Sequence, residues 1–165
     1  GSLRFDAEAA SRVDPSTQSV HATVGAGSRD LVRGLEHLDA LPSGDRDELR
    51  SRNRYHRAMR ASGTPLVVSS DAGVMTTAHD EFALTVIAAS VSLEVSPAEA
   101  INLTTYAPAR AIGLGAVTGA LKPKLAADVL VVGGDAADNI CRVNDPLAVY
   151  SGGREVARER RLIAA

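Results

Sequence analysis

The chain has 165 residues, of which 45% are hydrophobic and 23% charged, with a formal net charge of −2. That is length and apolar content for a folded domain with a core, and it excludes an intrinsically disordered chain. The slight negative charge gives no electrostatic reason to expect nucleic acid or an anionic membrane as partner.

Aromatic residues make up only 3% and there is no Trp, so Ala, Val, Leu and Ile must build the core. The single cysteine, Cys141, rules out an internal disulfide and a cysteine metal cluster. With no apolar leader and no run of about 18 apolar residues, the expected setting is the reducing cytoplasm. Nucleic acid and membrane are not expected as partners.

In chain order, residues 1–19 read as irregular, with a turn at Asp14-Pro15-Ser16. Val20 to Val24 reads as a short strand, broken by Gly25-Ala26-Gly27. Leu31, Leu35 and Leu38 recur at helical spacing, predicting a helix over 30–41 that Pro42-Ser43-Gly44 stops. A second helix is expected over 45–62, with Gly63 as its stop. It carries Arg46, Arg50, Arg54 and Arg57 on one face. Asp47 and Glu48 balance that face, so it reads as a solvated surface and not an anion site.

The most informative stretch is Thr64-Pro65-Leu66-Val67-Val68-Ser69-Ser70-Asp71-Ala72-Gly73. Its continuous apolar run reads as a buried strand. In α/β folds, chemistry collects where such strands end. The small residues around Asp71 leave room for an ion or substrate. On this stretch alone, an Asp-Ala-Gly turn is the simpler reading.

After a loop over 74–78, His79-Asp80-Glu81 reads as the first turn of a helix, apolar nearly all round and hence buried, that runs to Val95. Ser96-Pro97-Ala98-Glu99 carries a capping serine, a first-turn proline and the glutamate of a capping box. Pro108 is expected to break or kink that helix, and Gly113 to stop it. Gly113, Gly115 and Gly119 lack the strand–turn–helix setting of a dinucleotide loop and read as turns. Strands are expected over 127–132 and around Val143, Leu147, Val149 and Tyr150. A hairpin turn at Ser151-Gly152-Gly153 leads into Arg154-Glu155-Val156. Residues 158–165 are given no element. The order predicts parallel α/β architecture followed by a small antiparallel unit.

Taken together, these segments resemble the C-terminal part of the metal-dependent amidohydrolases, nearest their imidazolonepropionase and prolidase-like branch. Ser70-Asp71-Ala72-Gly73 is similar to the family's Thr-Asp-Ala/Ser-Gly at the end of the eighth barrel strand. Ser96 to Ala100 and Thr104 to Leu114 resemble its following helices. Gly119-Ala120-Leu121-Lys122-Pro123 with Ala127 to Val132, then Gly133-Gly134-Asp135 and Ser151-Gly152-Gly153, resemble its closing strands. The departures are Lys124 where the family has glycine, which puts that turn in question, Ser70 for threonine, and Ala107-Pro108-Ala109 for Asn-Ala-Ala. No His-x-His occurs: the histidines are His21, His37, His56 and His79.

The resemblance implies an α/β fold, the C-terminal part of a (β/α)8 TIM-type barrel over 1–114, then strands of a small β-sandwich-like domain over 115–165. A full barrel takes about 200–250 residues, so the barrel is incomplete in this chain. It implies hydrolysis of carbon–nitrogen bonds in non-peptide or cyclic amides by water that a divalent metal, zinc by expectation, activates. The partner implied is a small-molecule substrate: Asp71 would be catalytic and a metal ligand, and His79 would bind that substrate at the mouth of the site. Without the His-x-His pair, the isolated chain is expected to be inactive, the missing ligands coming from an N-terminal half or through homo-oligomerisation. The alternative is a non-catalytic remnant or association module.

Overall fold

A computed structural model describes residues 20–22, 43–73 and 78–163. The helix expected over 30–41 and the end of the first strand lie outside these residues. By compactness the chain divides into two units, Gly1–Val95 and Ser96–Ala165. The boundary at 114/115 is a proposal of a different kind, set by where helices give way to strands.

The first unit is built on two strands, β1 (Val20–Ala22) and β2 (Leu66–Val68), paired parallel with Val20 opposite Leu66. All three β2 residues are buried, as their continuous apolar run requires. Helix α1 (Ser43–Ala61) leads into β2. It starts at Ser43, two residues before the expected Asp45, so Ser43-Gly44 belong to it. Gly63, at φ +80°, ends it: its N–H bonds the Arg60 carbonyl and the Thr64 N–H bonds the Met59 carbonyl. This paired arrangement with a left-handed residue is a Schellman stop.

Helix α2 (Phe82–Leu93) packs against α1. It buries Val86, Ile87, Ala88, Ala89 and Leu93 but leaves Phe82 and Val91 partly exposed, so the burial is less complete than its composition predicts. Its first helical residue is Phe82; His79 and Asp80 form a turn before it, because Glu81 folds back on Ala78. The arginine face of α1 is solvated as expected: Arg50 and Arg54 are exposed, Arg50 lies 3.8 Å from Asp47, and Arg57 pairs with Glu94.

The second unit opens with α3 (Pro97–Thr104), whose Ser96 side chain accepts the Glu99 N–H at 3.2 Å, as the capping signature predicts. The break before α4 (Tyr106–Ala111) falls at Thr105, ahead of Pro108. Pro108 sits in the first turn of α4, where its missing N–H costs nothing. The hydroxyls of Thr104 and Thr105 instead bond the Ala100 and Ile101 carbonyls and compete with the backbone ladder. Gly113, at φ +80°, makes a second Schellman stop with Leu114.

A four-stranded antiparallel sheet follows, in the order β3 (Val129–Val132), β4 (Pro146–Ser151), β5 (Arg154–Arg158), β6 (Arg161–Leu162). Gly152 and Gly153 both have positive φ, which the tight β4–β5 turn needs. Val143 lies in a 3-10 segment, Ile140–Asn144, and not in a strand; Asn139 opens it by accepting the Cys141 N–H. Val143 and Ile140 are buried, so their apolar character serves packing without strand pairing.

Asp128 ties this unit together. Its carboxylate accepts the Thr118 hydroxyl at 3.1 Å and the Gly152 N–H at 2.8 Å. Lys124 adopts φ +74°, the left-handed conformation that suits glycine. The turn is therefore kept in its glycine-like form despite the lysine, and the side chain carries strain there. Lys124→Gly is expected to raise stability by up to about 1 kcal/mol, the left-handed penalty less the entropy glycine loses. Urea unfolding checks this, and an unchanged or lower midpoint contradicts it.

His56 on α1 is half-buried, and its Nδ1 has no hydrogen-bond partner among the described residues. Burial, helped by the Arg52 charge, holds its pKa below the ordinary 6.5. The unfolded chain then binds the proton more readily, so stability is full above about pH 6.5 and falls as pH drops below it. His56→Gln is expected to flatten the stability profile between about pH 5 and 7. Unfolding midpoints measured across that range give the comparison.

Candidate active site

Strand β2 ends at Val68, and the chain leaves its carboxyl end through Ser69, Ser70 and Asp71. Asp71 is exposed and has φ +53°, a left-handed conformation that aspartate tolerates better than most residues. The Ser70 hydroxyl oxygen accepts the Ala72 N–H at 3.2 Å, bridging over Asp71. A hydroxyl at this position thus fixes the backbone around the carboxylate, and serine supplies it as threonine would. The bend closes at Gly73, φ +94°. The Asp-Ala-Gly turn read from sequence is present, and it sets Asp71 at the strand's end.

The loop before α2 returns to this turn. The Ala78 N–H bonds the Glu81 carboxylate at 3.2 Å, and the Glu81 N–H bonds the Ala78 carbonyl at 3.2 Å. His79 is held between those contacts. Its imidazole rests on Gly73: a Cβ built there would lie 3.2 Å from His79 Cε1 and 3.5 Å from Nε2. The structure therefore brings His79 against the turn that carries Asp71. The role of Glu81 was missed from sequence. Its signal is an acid three residues after Ala78, the spacing at which a side chain reaches back to a backbone N–H.

Asp71 offers a carboxylate and His79 an imidazole, a pair suited to proton handling or metal ligation. A closed or catalytic zinc site needs at least three protein ligands. Among the described residues no group of three His, Cys, Asp or Glu side chains gathers closely enough to hold a metal. These residues therefore do not fit a complete metal centre by themselves. Asp80 is exposed and brings no further donor to it.

A buried parallel strand with an aspartate after its carboxyl end, and an antiparallel sheet later in the chain, place this fold among partial α/β folds. The chain belongs to the amidohydrolase family, whose sequence profile matches residues 31–157. Among solved structures, it is similar to a protein from Bifidobacterium longum provisionally described as a prolidase. That likeness has 21% identity and a TM-score of 0.74, over 94% of this chain and 40% of the other. The ochratoxinase of A. niger superposes with a TM-score of 0.68 at 19% identity, over 92% and 34%. A prolidase complexed with N-methylphosphonate-L-proline gives 0.64 at 16%, over 93% and 38%. No curated protein matches the chain.

The chain thus spans 34–40% of the length of these three structures. Its fold is the C-terminal part of an amidohydrolase barrel, incomplete in this chain, with strands that follow it. The described residues contain no helix long and apolar enough to cross a membrane.

Gly73→Ala is expected to lower stability by about 1–2 kcal/mol, because φ +94° is costly for any residue with a Cβ. It should also push the His79 ring off the turn. NMR of the His79 ring protons reads that second effect, and an unmoved ring would contradict the packing described.

Proposed function

We propose that this chain forms the C-terminal part of a hydrolase acting on carbon–nitrogen bonds of small amides, including cyclic ones, with Asp71 as its catalytic carboxylate. The observation that carries this reading is the position of Asp71 at the carboxyl end of buried β2 in a chain of the amidohydrolase family. Amidohydrolases are in general metal-dependent. Here Asp71 supplies one donor, and the rest of a zinc centre would come from an N-terminal half or a second copy of the chain.

The chemistry assigned to Asp71 is proton transfer. Its carboxylate takes a proton from the attacking water and passes it to the departing nitrogen, which would otherwise leave as an unstable amide anion. Two equivalent oxygens let the same group do both without leaving its turn. His79, seated on Gly73, is assigned to the substrate at the mouth of the site, where an imidazole can donate to a carbonyl or carboxylate oxygen.

The 165-residue chain alone is expected to retain well under stoichiometric zinc after desalting and to show no amide hydrolysis. Purified with a polypeptide that supplies a His-x-His pair, it should hold zinc and hydrolyse N-acyl amino acids or cyclic amides. Asp71→Asn should then lower turnover by about 100-fold or more. Metal mass spectrometry and single-turnover assays read the two effects. Zinc-dependent turnover that survives Asp71→Asn would overturn the role given to Asp71. Stoichiometric zinc in the isolated chain, lost in Asp71→Asn, would show that the site assembles within it.

A further inference from the structure

The second unit contains an open groove of about 350 Å³, which the chemistry at Asp71 leaves unused. Ala98, Ile101, Asn102 and Thr105 of the α3 segment line it, with Tyr106 of α4 and the loop residues Gly119, Ala120 and Lys122. Its shape is set by close packing. A Cβ on Gly119 would lie 2.7 Å from Ala109 Cβ and 3.1 Å from the Thr105 carbonyl oxygen. No other residue lets the loop come so near α4, and Gly119 also has φ +93°.

Lys122 is the one charged residue that lines the groove; Arg110 does not line it but shares the Tyr106 ring with Lys122. Lys122 Nζ lies 5.1 Å from the Tyr106 ring centroid, and Arg110 Cζ lies 5.8 Å from the same ring. Among the described residues, neither cation has a carboxylate within ion-pair distance. No acidic residue lines the groove. Its walls are apolar at Ala98, Ile101 and Ala120 and aromatic at Tyr106, and Asn102 adds an amide donor.

We propose that this groove binds a small monocarboxylate with an apolar body, the carboxylate on Lys122 and Asn102 and the body against Ile101, Ala120 and the Tyr106 ring. A volume near 350 Å³ is at the lower end for small-molecule sites and suits an acid of about ten heavy atoms. A bare inorganic anion would leave the apolar walls uncovered. A cation would meet the Lys122 ammonium. The site stands whether or not the role given to Asp71 holds, since all its residues belong to Ser96–Ala165.

The test is titration of the full chain with hexanoate and benzoate, followed by calorimetry and by amide NMR shifts. Hexylammonium and inorganic phosphate serve as controls. Saturable binding of either acid that shifts the Asn102, Tyr106, Gly119 and Ala120 amides is expected, with no saturation by hexylammonium. Lys122→Met keeps most of the apolar stem and should weaken the acid by about tenfold or more, with unchanged circular dichroism. Non-saturating titrations, equal affinity for phosphate, or an affinity indifferent to Lys122→Met would each overturn the proposal.

Discussion

The first unit depends on the complete burial of three consecutive residues, Leu66, Val67 and Val68. A strand flanked by apolar neighbours on both faces cannot slip its register without moving polar groups into the core. It is therefore a fixed stem. The helix before it must stop sharply at Gly63 to deliver the chain into the strand, and the chain after it must leave through small polar residues. The position of Asp71 follows from these demands before any chemistry is considered. A rigid stem with a polar exit is what a catalytic carboxylate needs, because misplacement by about an ångström can cost two orders of magnitude in rate.

Left-handed residues recur wherever the chain must change direction. Gly63 and Gly113 end helices, and Gly152-Gly153 turn the hairpin, each at little steric cost. Asp71, Glu94 and Lys124 hold the same conformation with a side chain present. At Glu94 the side chain has a use, since it pairs with Arg57 and ties the end of α2 to α1. At Asp71 the carboxylate is itself the feature of interest. No described contact compensates Lys124.

This pattern also explains what the sequence could and could not reveal. Elements whose signal is local were legible: the buried strand, the Ser96 cap, the Gly63 and Gly113 stops and the Gly152-Gly153 hairpin. The misread boundaries turn on weak local preferences decided by neighbours. Ser43-Gly44 precede the expected start at Asp45, yet the helix already begins there. Pro108 resembles a helix breaker, yet two threonine hydroxyls break the helix earlier and leave the proline in a first turn where it is harmless. Val143 resembles a strand residue, but burial alone accounts for its type. Within the candidate site, the turn at Asp71 was legible from its flanking residues. The seat of His79 on Gly73 was not, since it depends on a loop that Glu81 closes through space.

The turn reading of Asp71 and the catalytic reading are not rivals, and their coexistence is informative. Asp-Ala-Gly could form a turn with asparagine or glycine at its first position, since both enter the left-handed region as readily. Neither would supply a group able to accept a proton from water near neutral pH. An exposed carboxylate that ends a fully buried strand gains nothing for the core, and the Ser70 hydroxyl already satisfies the turn's free N–H. Turn formation therefore accounts for the small residues and the backbone angles, but it leaves the choice of a carboxylic acid unexplained. The catalytic role proposed for Asp71 would account for that choice. Gly73 is bare where the His79 imidazole comes to rest, a matter of packing.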